Sequence, residues 1–171
     1  MNAKGQEVVT RTTATTADVE WLVGTDNVPG PLVRQSSLGR VDYGDWFSLR
    51  TDVSAGPEEW ARAMFGNVPS ATELFIWQGL LGFRLRRERS PDLVAGWPIT
   101  SRSSTSIRLG TASWFVAANL VVHVAKGRVS LGTLLRYDRA LARLVWTPLS
   151  TVHRRVAPRL LCAAEASILR R

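Results

Sequence analysis

Two side chains near the end of the chain could move protons in a reaction. His153 lies at the flank of the apolar face of a predicted helix, where an imidazole can act as acid or base near neutral pH. Tyr137 ends a predicted strand, and its hydroxyl could donate a hydrogen bond to a carbonyl or enolate oxygen. His153 and Tyr137 are therefore the candidate catalytic residues. Each also has an ordinary structural interpretation, as a rim histidine and as a core tyrosine.

Large aromatic side chains are the candidate walls of a ligand site. The chain contains seven tryptophans, whose flat apolar surfaces most often fill a core and can also line a cavity. Thr133 shares the inward face of its strand with Tyr137. Glu73 would become a plausible base if it faced a cavity, although its spacing from Ser70 favours a helix cap. The candidate ligand-binding residues are Trp77, Trp97, Trp114, Thr133 and Glu73.

Other kinds of site are not predicted. The two histidines, His123 and His153, have no cysteine or carboxylate at ligand spacing, so we expect no metal site. The chain contains no Gly-x-Gly-x-x-Gly or Walker motif, which disfavours nucleotide sites that cradle phosphate. Gly-x-Ser-x-Gly is also absent. No cofactor is therefore expected. The single cysteine, Cys162, lies in an apolar helical run and is interpreted as a small buried hydrophobic side chain.

A long C-terminal helix must position His153. Between residues 141 and 164, apolar side chains recur three and four positions apart, as on one helix face. We expect Asp138 to cap this helix, Pro148 to break it and Pro158 to kink it. The predicted stripe consists of Leu141, Leu144, Val145, Leu149, Val152, Val156, Leu160 and Ala164.

The strands before this helix would provide the surface under it. Residues 112–124 and 128–137 alternate between apolar and polar positions and are joined by a tight turn at 125–127. On the first of these strands, the face that includes Trp114 and Leu120 is the more apolar and is placed inward. Residues 41–49 and 105–110 read as further strands, with a turn at 110–111, and Trp97-Pro98 marks an edge strand or a bulge.

Two short helices are predicted after the first strand. Pro57, Glu58 and Glu59 favour the start of one, and Ser70 with Glu73 has the spacing of a capping box at the start of the next. The fold class is therefore α+β, with a curved antiparallel sheet wrapped around a long C-terminal helix. We expect a hollow between that helix and the sheet, and the functional site inside it.

Length and composition indicate one folded domain. The 171 residues divide into a polar, Thr-rich N-terminal arm at 1–19 and a domain at 20–171. No apolar run is long enough to span a membrane, and no secretory signal is visible. With one cysteine and no signal, a reducing, cytoplasmic location is expected.

Positive charge is concentrated in the second half. Residues 93–171 contain 12 basic and two acidic side chains, whereas the first 92 carry a net charge of −2. Such a half could meet an anionic ligand or an acidic partner such as a carrier protein, or it could simply be a solvated surface. Nucleic acid is a less favoured partner because the arginines are scattered and lack interleaved exposed aromatics.

The order of elements and two sequence stretches resemble a known superfamily. The stretches are Arg108-Leu-Gly-Thr-Ala-Ser-Trp114 and the tail from Trp146 through Val152-His153-Arg154-Arg155-Val156-Ala157-Pro158. Over about residues 40–168 the chain resembles an uncharacterised bacterial family of the helix-grip superfamily, to which START lipid-transfer domains, the birch-pollen allergen family and polyketide cyclases belong. The resemblance implies a helix-grip fold with a cavity for hydrophobic or polycyclic molecules. The chain is expected to be one or two strands short of a seven-stranded sheet.

Three hypotheses on function follow. The leading one is a pocket that binds a hydrophobic, polyketide- or polycycle-like molecule and catalyses its cyclisation, dehydration or isomerisation without a cofactor. The second is a carrier or sensor that binds a lipid-like molecule without changing it. The third is an Arg-rich interaction module for an acidic partner. No motif in the sequence identifies the ligand or the oligomeric state.

Overall fold

Seven strands form one open, curved antiparallel sheet in this computed structural model, which describes residues 14–27 and 29–171. Their order across the sheet is β1-β2-β7-β6-β5-β4-β3. Every neighbouring pair runs antiparallel. The strands are β1 (Val19–Val23), β2 (Tyr43–Arg50), β3 (Leu93–Val94), β4 (Trp97–Arg102), β5 (Ser106–Ala112), β6 (Val116–Ala125) and β7 (Arg128–Tyr137).

A long terminal helix crosses one face of this sheet. Helix α4 (Ala140–Leu169) packs against β2, β7 and α2. The other helices are α1 (Gly30–Arg34), α2 (Pro57–Phe65), α3 (Ala71–Leu74), a π-helix (Phe75–Leu80) that continues α3 directly, and a short 3₁₀ helix (Thr16–Asp18). The predicted α+β class, a curved antiparallel sheet wrapped around a long C-terminal helix, is confirmed. None of the helices in the described residues combines the length and hydropathy that crossing a bilayer requires.

The sheet has more strands than the sequence indicated. Residues 19–23 form β1 and pair with β2, from Val19 opposite Leu49 to Val23 opposite Asp45. The sequence hides this edge strand because it is short and its Trp21 is 62% exposed. Of the predicted N-terminal arm, residues 1–13 lie outside the described residues. Ala14 donates its backbone N–H to Glu165 Oε2 of α4 (3.1 Å), so the chain is tied to the terminal helix just before β1.

The predicted inward faces of β6 and β7 are confirmed within those strands. Their buried side chains include Val116, Ala118, Leu120, Val122, Val129, Leu131, Thr133 and Leu135. The turn before β6 was placed wrongly. Residues 110–111 belong to β5, and the chain turns at 113–115, where Ser113 Oγ lies within hydrogen-bond distance of the Val116 backbone N–H (3.3 Å). This serine turn was not recognised, and it leaves Trp114 66% exposed.

The opposite face of the sheet is covered by the segment that follows α1. Asn119 Oδ1 accepts the backbone N–H of Ser37 (2.8 Å), and Arg136 donates to the Leu38 carbonyl (3.2 Å). His123 also lies on this face, with its ring 6.5 Å from that of Trp46. A small second core results, formed by Leu38, Ala117, Val121 and Leu134.

Helix α4 is continuous, so the predicted break at Pro148 is wrong. Each proline removes one backbone hydrogen bond, but burial of Trp146 and Ser150 around the first, and of Ala157 and Leu161 around the second, holds the helix in place. The predicted cap is also wrong. The N-cap residue is Arg139, because Asp138 Oδ1 is taken by Arg136 Nε at 2.7 Å.

The buried face of α4 differs from the predicted apolar stripe. Leu144, Val152 and Val156 of the stripe are 72%, 49% and 40% exposed. Smaller or amphipathic residues make the close contacts, because they let the helix approach its neighbours. The buried residues are Ala142, Trp146, Ser150, Ala157, Leu161, Ala164 and Glu165.

A tight hairpin between β3 and β4 positions Trp97. Ala95 and Gly96 both have positive φ angles (46° and 79°), as the two central residues of a type I′ turn do. A Cβ on Gly96 would collide with the Arg86 carbonyl oxygen, and the backbone N–H of Arg86 donates to the Gly96 carbonyl (3.1 Å). Of the two alternatives predicted at Trp97-Pro98, an edge strand or a bulge, the structure favours the bulge: β4 lies between β3 and β5, and its register on β5 shifts between Ile99 and Ser101.

Replacement of Gly96 by alanine should therefore destabilise the protein beyond the ordinary cost of a left-handed residue. Gly127 is the matched control, because its φ is similar (72°) and nothing lies within 4 Å of an added Cβ. We expect Gly127→Ala to cost about 1 kcal/mol and Gly96→Ala clearly more, as measured by urea unfolding. Equal costs for the two variants would show that the backbone at Arg86 yields freely.

Candidate functional site

A cavity of about 610 Å³ lies between α4 and the inner face of the sheet. Its floor is formed by side chains of β6 and β7, among them Ala118, Leu120 and Leu131. The small Ala118 leaves space where a larger residue would fill it. α4 provides one wall, with Trp146, Leu149, Val152, His153, Val156 and Leu160. The middle of the predicted apolar stripe thus faces a hollow, which explains its incomplete burial.

The cavity opens to solvent between α4 and the start of α3. Several residues that line it are also exposed: Val68, Ser70 and Thr72, just before and at the start of α3, on one side, and Val152 and Val156 of α4 on the other. Apolar side chains on both sides of the mouth would favour entry of an apolar molecule.

Aromatic side chains form the wall opposite α4. The rings of Trp77 and Trp97 lie 5.4 Å apart at 87°, and Phe83 packs edge-on against Trp97 at 5.3 Å. Such perpendicular contacts hold each ring in one orientation. The π-helix places Trp77 here, and its carbonyl accepts the backbone N–H of Phe83 (2.8 Å).

A cluster of polar side chains at the border of the cavity comes from three separate elements. Asp45 of β2 lies directly opposite Thr133 of β7. His153 of α4 reaches both: its Nε2 is 3.0 Å from Thr133 Oγ1 and 3.2 Å from Asp45 Oδ2. The Asp45 side chain is completely buried, whereas that of His153 is 21% exposed.

Tyr43 of β2 is the fourth member of this polar cluster. Its hydroxyl donates to Asp45 Oδ2 at 2.7 Å. Burial, and then the charge of the Asp45 carboxylate, raise the pKa of Tyr43 far above its ordinary value, so this hydroxyl stays protonated. Aromatic rings enclose the imidazole, with Trp146 at 5.5 Å and Phe47 at 6.0 Å between ring centroids. His153 therefore presents its ring between a buried carboxylate and the cavity.

Five of the seven predicted site residues line this one cavity: His153, Thr133, Trp77, Trp97 and Glu73. Glu73 lies at the rim and makes the expected capping box, accepting the Ser70 backbone N–H at 2.7 Å. The structure thus places it as a cap that also borders the cavity.

Tyr137 and Trp114 are not among the residues that line the cavity. Tyr137 lies beyond Leu135 at the end of β7, in a separate cleft of about 340 Å³ with Asp42, Arg139 and Arg143. Burial raises the pKa of Tyr137 to about 12. Trp114 is displaced by the Ser113 turn and packs against Phe115 on the surface. Tyr137 belongs to β7 as predicted, but this strand extends past the cavity, whereas Trp114 lies in a turn and not in the predicted strand.

Sequence reasoning missed Asp45 and Tyr43. A signal was present: Tyr43, Asp45, Phe47 and Leu49 share one face of β2, so a carboxylate stands at a core position between aromatic neighbours. A charge on the apolar face of a strand is rare without a partner, and asking for that partner would have pointed to a histidine.

Two alternative chemistries find no support at this site. Burial raises the pKa of the half-buried Cys162 thiol, which disfavours the nucleophilic thiolate. Within residues 14–27 and 29–171, no three side chains of the metal-ligating types come together.

No protein-family model, curated protein sequence or solved structure matches the chain.

The two tyrosines of the chain provide a test of this burial. Because burial raises the pKa of Tyr43 and of Tyr137, phenolate absorbance should not appear near pH 10, the usual midpoint, while the protein stays folded. The unfolded chain loses these protons above about pH 10 and the folded chain keeps them, so stability should fall as pH rises through that range. Absorbance titration of wild type and Tyr137→Phe separates the two phenols. Normal midpoints for both in the folded protein would contradict the burial.

Proposed function

We propose that this chain binds a hydrophobic small molecule, polycyclic or polyketide-like, in the cavity under α4. The observation that carries the proposal is the apolar, aromatic-walled cavity of about 610 Å³. Its size falls within the roughly 300–1,000 Å³ typical of small-molecule sites. The same proposal relates the chain to the START and polyketide cyclase-like proteins of the helix-grip superfamily, and it is supported by the order of elements.

Cofactor-free cyclisation, dehydration or isomerisation is the chemistry proposed for the bound molecule. An apolar wall around a flexible substrate leaves it few conformations, and this restriction can supply a large part of the rate. His153 is the group placed to move a proton. Tyr137 plays no part in this proposal, because it does not line the cavity.

Carriage without reaction is the alternative use of the same cavity, and an acidic partner is a second candidate. The second candidate is supported by Arg143, Arg155 and Arg159 on α4 and by Arg139 at its N-cap, which are exposed and form no ion pair with the described residues. A carrier protein that delivers a hydrophobic cargo would fit such a surface. Either role is compatible with the proposed cytoplasmic location.

Filling the cavity should abolish binding without unfolding the protein. In Ala118→Phe the new ring would occupy space above the floor of the cavity, and we expect at least about a tenfold loss of affinity for an apolar fluorescent probe such as anilinonaphthalene sulfonate. Ala112→Phe is the matched control, because it adds the same side chain at an exposed position at the end of β5. Fluorescence titration measures the affinity, and thermal unfolding verifies that both variants fold.

An unchanged affinity of Ala118→Phe for the probe would contradict the proposal. If folded Ala118→Phe binds the probe as well as Ala112→Phe does, the probe does not occupy the cavity. If Ala118→Phe loses the probe as expected, mass spectrometry of compounds that co-purify with wild type but not with Ala118→Phe identifies the natural class of ligand. A candidate ligand recovered unchanged after incubation supports carriage, and a converted one supports catalysis.

A further inference from the structure

We propose that Asp45 and His153 form a proton-transfer pair in which the buried carboxylate fixes the imidazole and Nδ1 acts as a base on a carbonyl-containing molecule in the cavity. The inference rests on the proposed function, since it needs a ligand there. It assigns two roles. His153 is the catalytic residue, and Asp45, which acts through it, is a positioning residue.

The register of the sheet builds the pair. Asp45 and Thr133 are direct cross-strand partners on β2 and β7, so their side chains stand together on the inner face. His153 descends from α4 onto this point and places Nε2 within 3.4 Å of both carboxylate oxygens and 3.0 Å from the Thr133 hydroxyl. Three separate elements therefore converge on one ring nitrogen.

The hydrogen bonds determine where the imidazole proton lies. An ionised carboxylate only accepts hydrogen bonds, and Tyr43 already donates one to Asp45 Oδ2. Nε2 must then carry the hydrogen that points at Asp45. In a neutral imidazole this leaves the lone pair on Nδ1. Asp45 has no exposed surface, so water does not compete for this contact.

Nδ1 is free to meet a ligand. The hydrogen bonds of the His153 ring within residues 14–27 and 29–171 all involve Nε2. Nδ1 of His153 is not fully buried either. In that part of the chain, the fully buried polar side-chain atoms without a hydrogen-bond partner are Trp60 Nε1, Trp97 Nε1, His123 Nδ1 and Trp146 Nε1. The side chain borders the cavity, so a molecule there can approach the unprotonated nitrogen.

The chemical class of substrate follows from this arrangement. An apolar molecule with a C–H beside a carbonyl could lose that proton to Nδ1, while the electrons of the C–H bond form the enolate and move the charge to oxygen. Return of the proton to another carbon gives an isomer. Return of the proton to a departing β-hydroxyl gives water and an alkene. Neither route consumes an oxidant, a reductant or a cofactor.

Nitrogen NMR of the labelled full chain tests the positioning directly, because the two tautomers of histidine have distinct nitrogen shifts. Wild type should show His153 with Nε2 protonated and Nδ1 unprotonated at neutral pH. In Asp45→Asn the amide can donate to Nε2, so the tautomer should switch to Nδ1–H. His123→Gln assigns the spectrum, since the chain has two histidines. A protonated Nδ1 in wild type, or no switch in Asp45→Asn, overturns the pair.

A generic base-sensitive probe tests the chemistry. Proton removal from a nitro-substituted benzisoxazole breaks its N–O bond and releases a coloured nitrophenolate, with no co-reactant. Wild type should convert the probe at least about a hundred-fold faster than His153→Ala or Asp45→Asn. His123→Gln should match wild type, because His123 lies on the other face of the sheet beside Trp46.

The two failures can be distinguished. Displacement of the fluorescent apolar probe reports entry of the benzisoxazole into the cavity. A failure to bind either compound overturns the proposed function, and the pair's role with it. Binding without any dependence of turnover on His153 and Asp45 overturns only the proton-transfer pair, and the cavity then remains as a carrier site.

Discussion

The buried carboxylate of Asp45 is the constraint that links the fold to the site. Removing an unpaired charge from water costs several kcal/mol, a large part of the stability of a protein of this size. Asp45 offsets this cost with two partners, the Tyr43 hydroxyl from its own strand and His153 from α4. One partner is local and the other lies more than a hundred residues away. Satisfying Asp45 therefore sets where α4 crosses the sheet.

Packing around this point explains why a hollow persists. α4 approaches its neighbours closely through small residues such as Ala142, Ala157 and Ala164, which hold it along its length. Between these small residues, larger apolar side chains of α4 lie over the cavity, whose floor is deeper at Ala118 because that side chain is small. On the far side, the edge-on contacts of Trp77, Trp97 and Phe83 brace the wall so that it does not collapse inward. The cavity is thus maintained by rigid surroundings.

The same arrangement separates the role of the middle of α4 from that of its C-terminal end. The middle carries the proton-transfer candidate and one side of the mouth, through His153, Val152 and Val156. Its C-terminal part is anchored by Ala164 and Glu165, the latter accepting the Ala14 backbone N–H. The exposed arginines lie on the outside of this helix, away from the apolar interior. A partner that binds them would therefore contact an element that also forms the wall of the cavity.

Local pattern in the sequence determined most of the fold. Alternation placed the inner faces of β6 and β7, the Ser70–Glu73 spacing indicated a capping box, and the apolar stripe of α4 indicated which helix closes the sheet. Five of the residues chosen as site candidates, by side-chain type as well as by pattern, line the cavity. Such features can be recognised because apolar side chains recur every two residues on one face of a strand and about every 3.6 residues on one face of a helix.

Tertiary structure alone decided the rest. Contacts between distant elements determine the pairing of β1, the continuity of α4 across two prolines and the volume of the cavity. Asp45 belongs to the site because β2 pairs with β7 and α4 places His153 beside it. Tyr137 does not belong to the site because β7 extends past the cavity. A sequence pattern specifies which face a side chain is on, but the position of that face over another element is set by packing and by the need to pair buried charge.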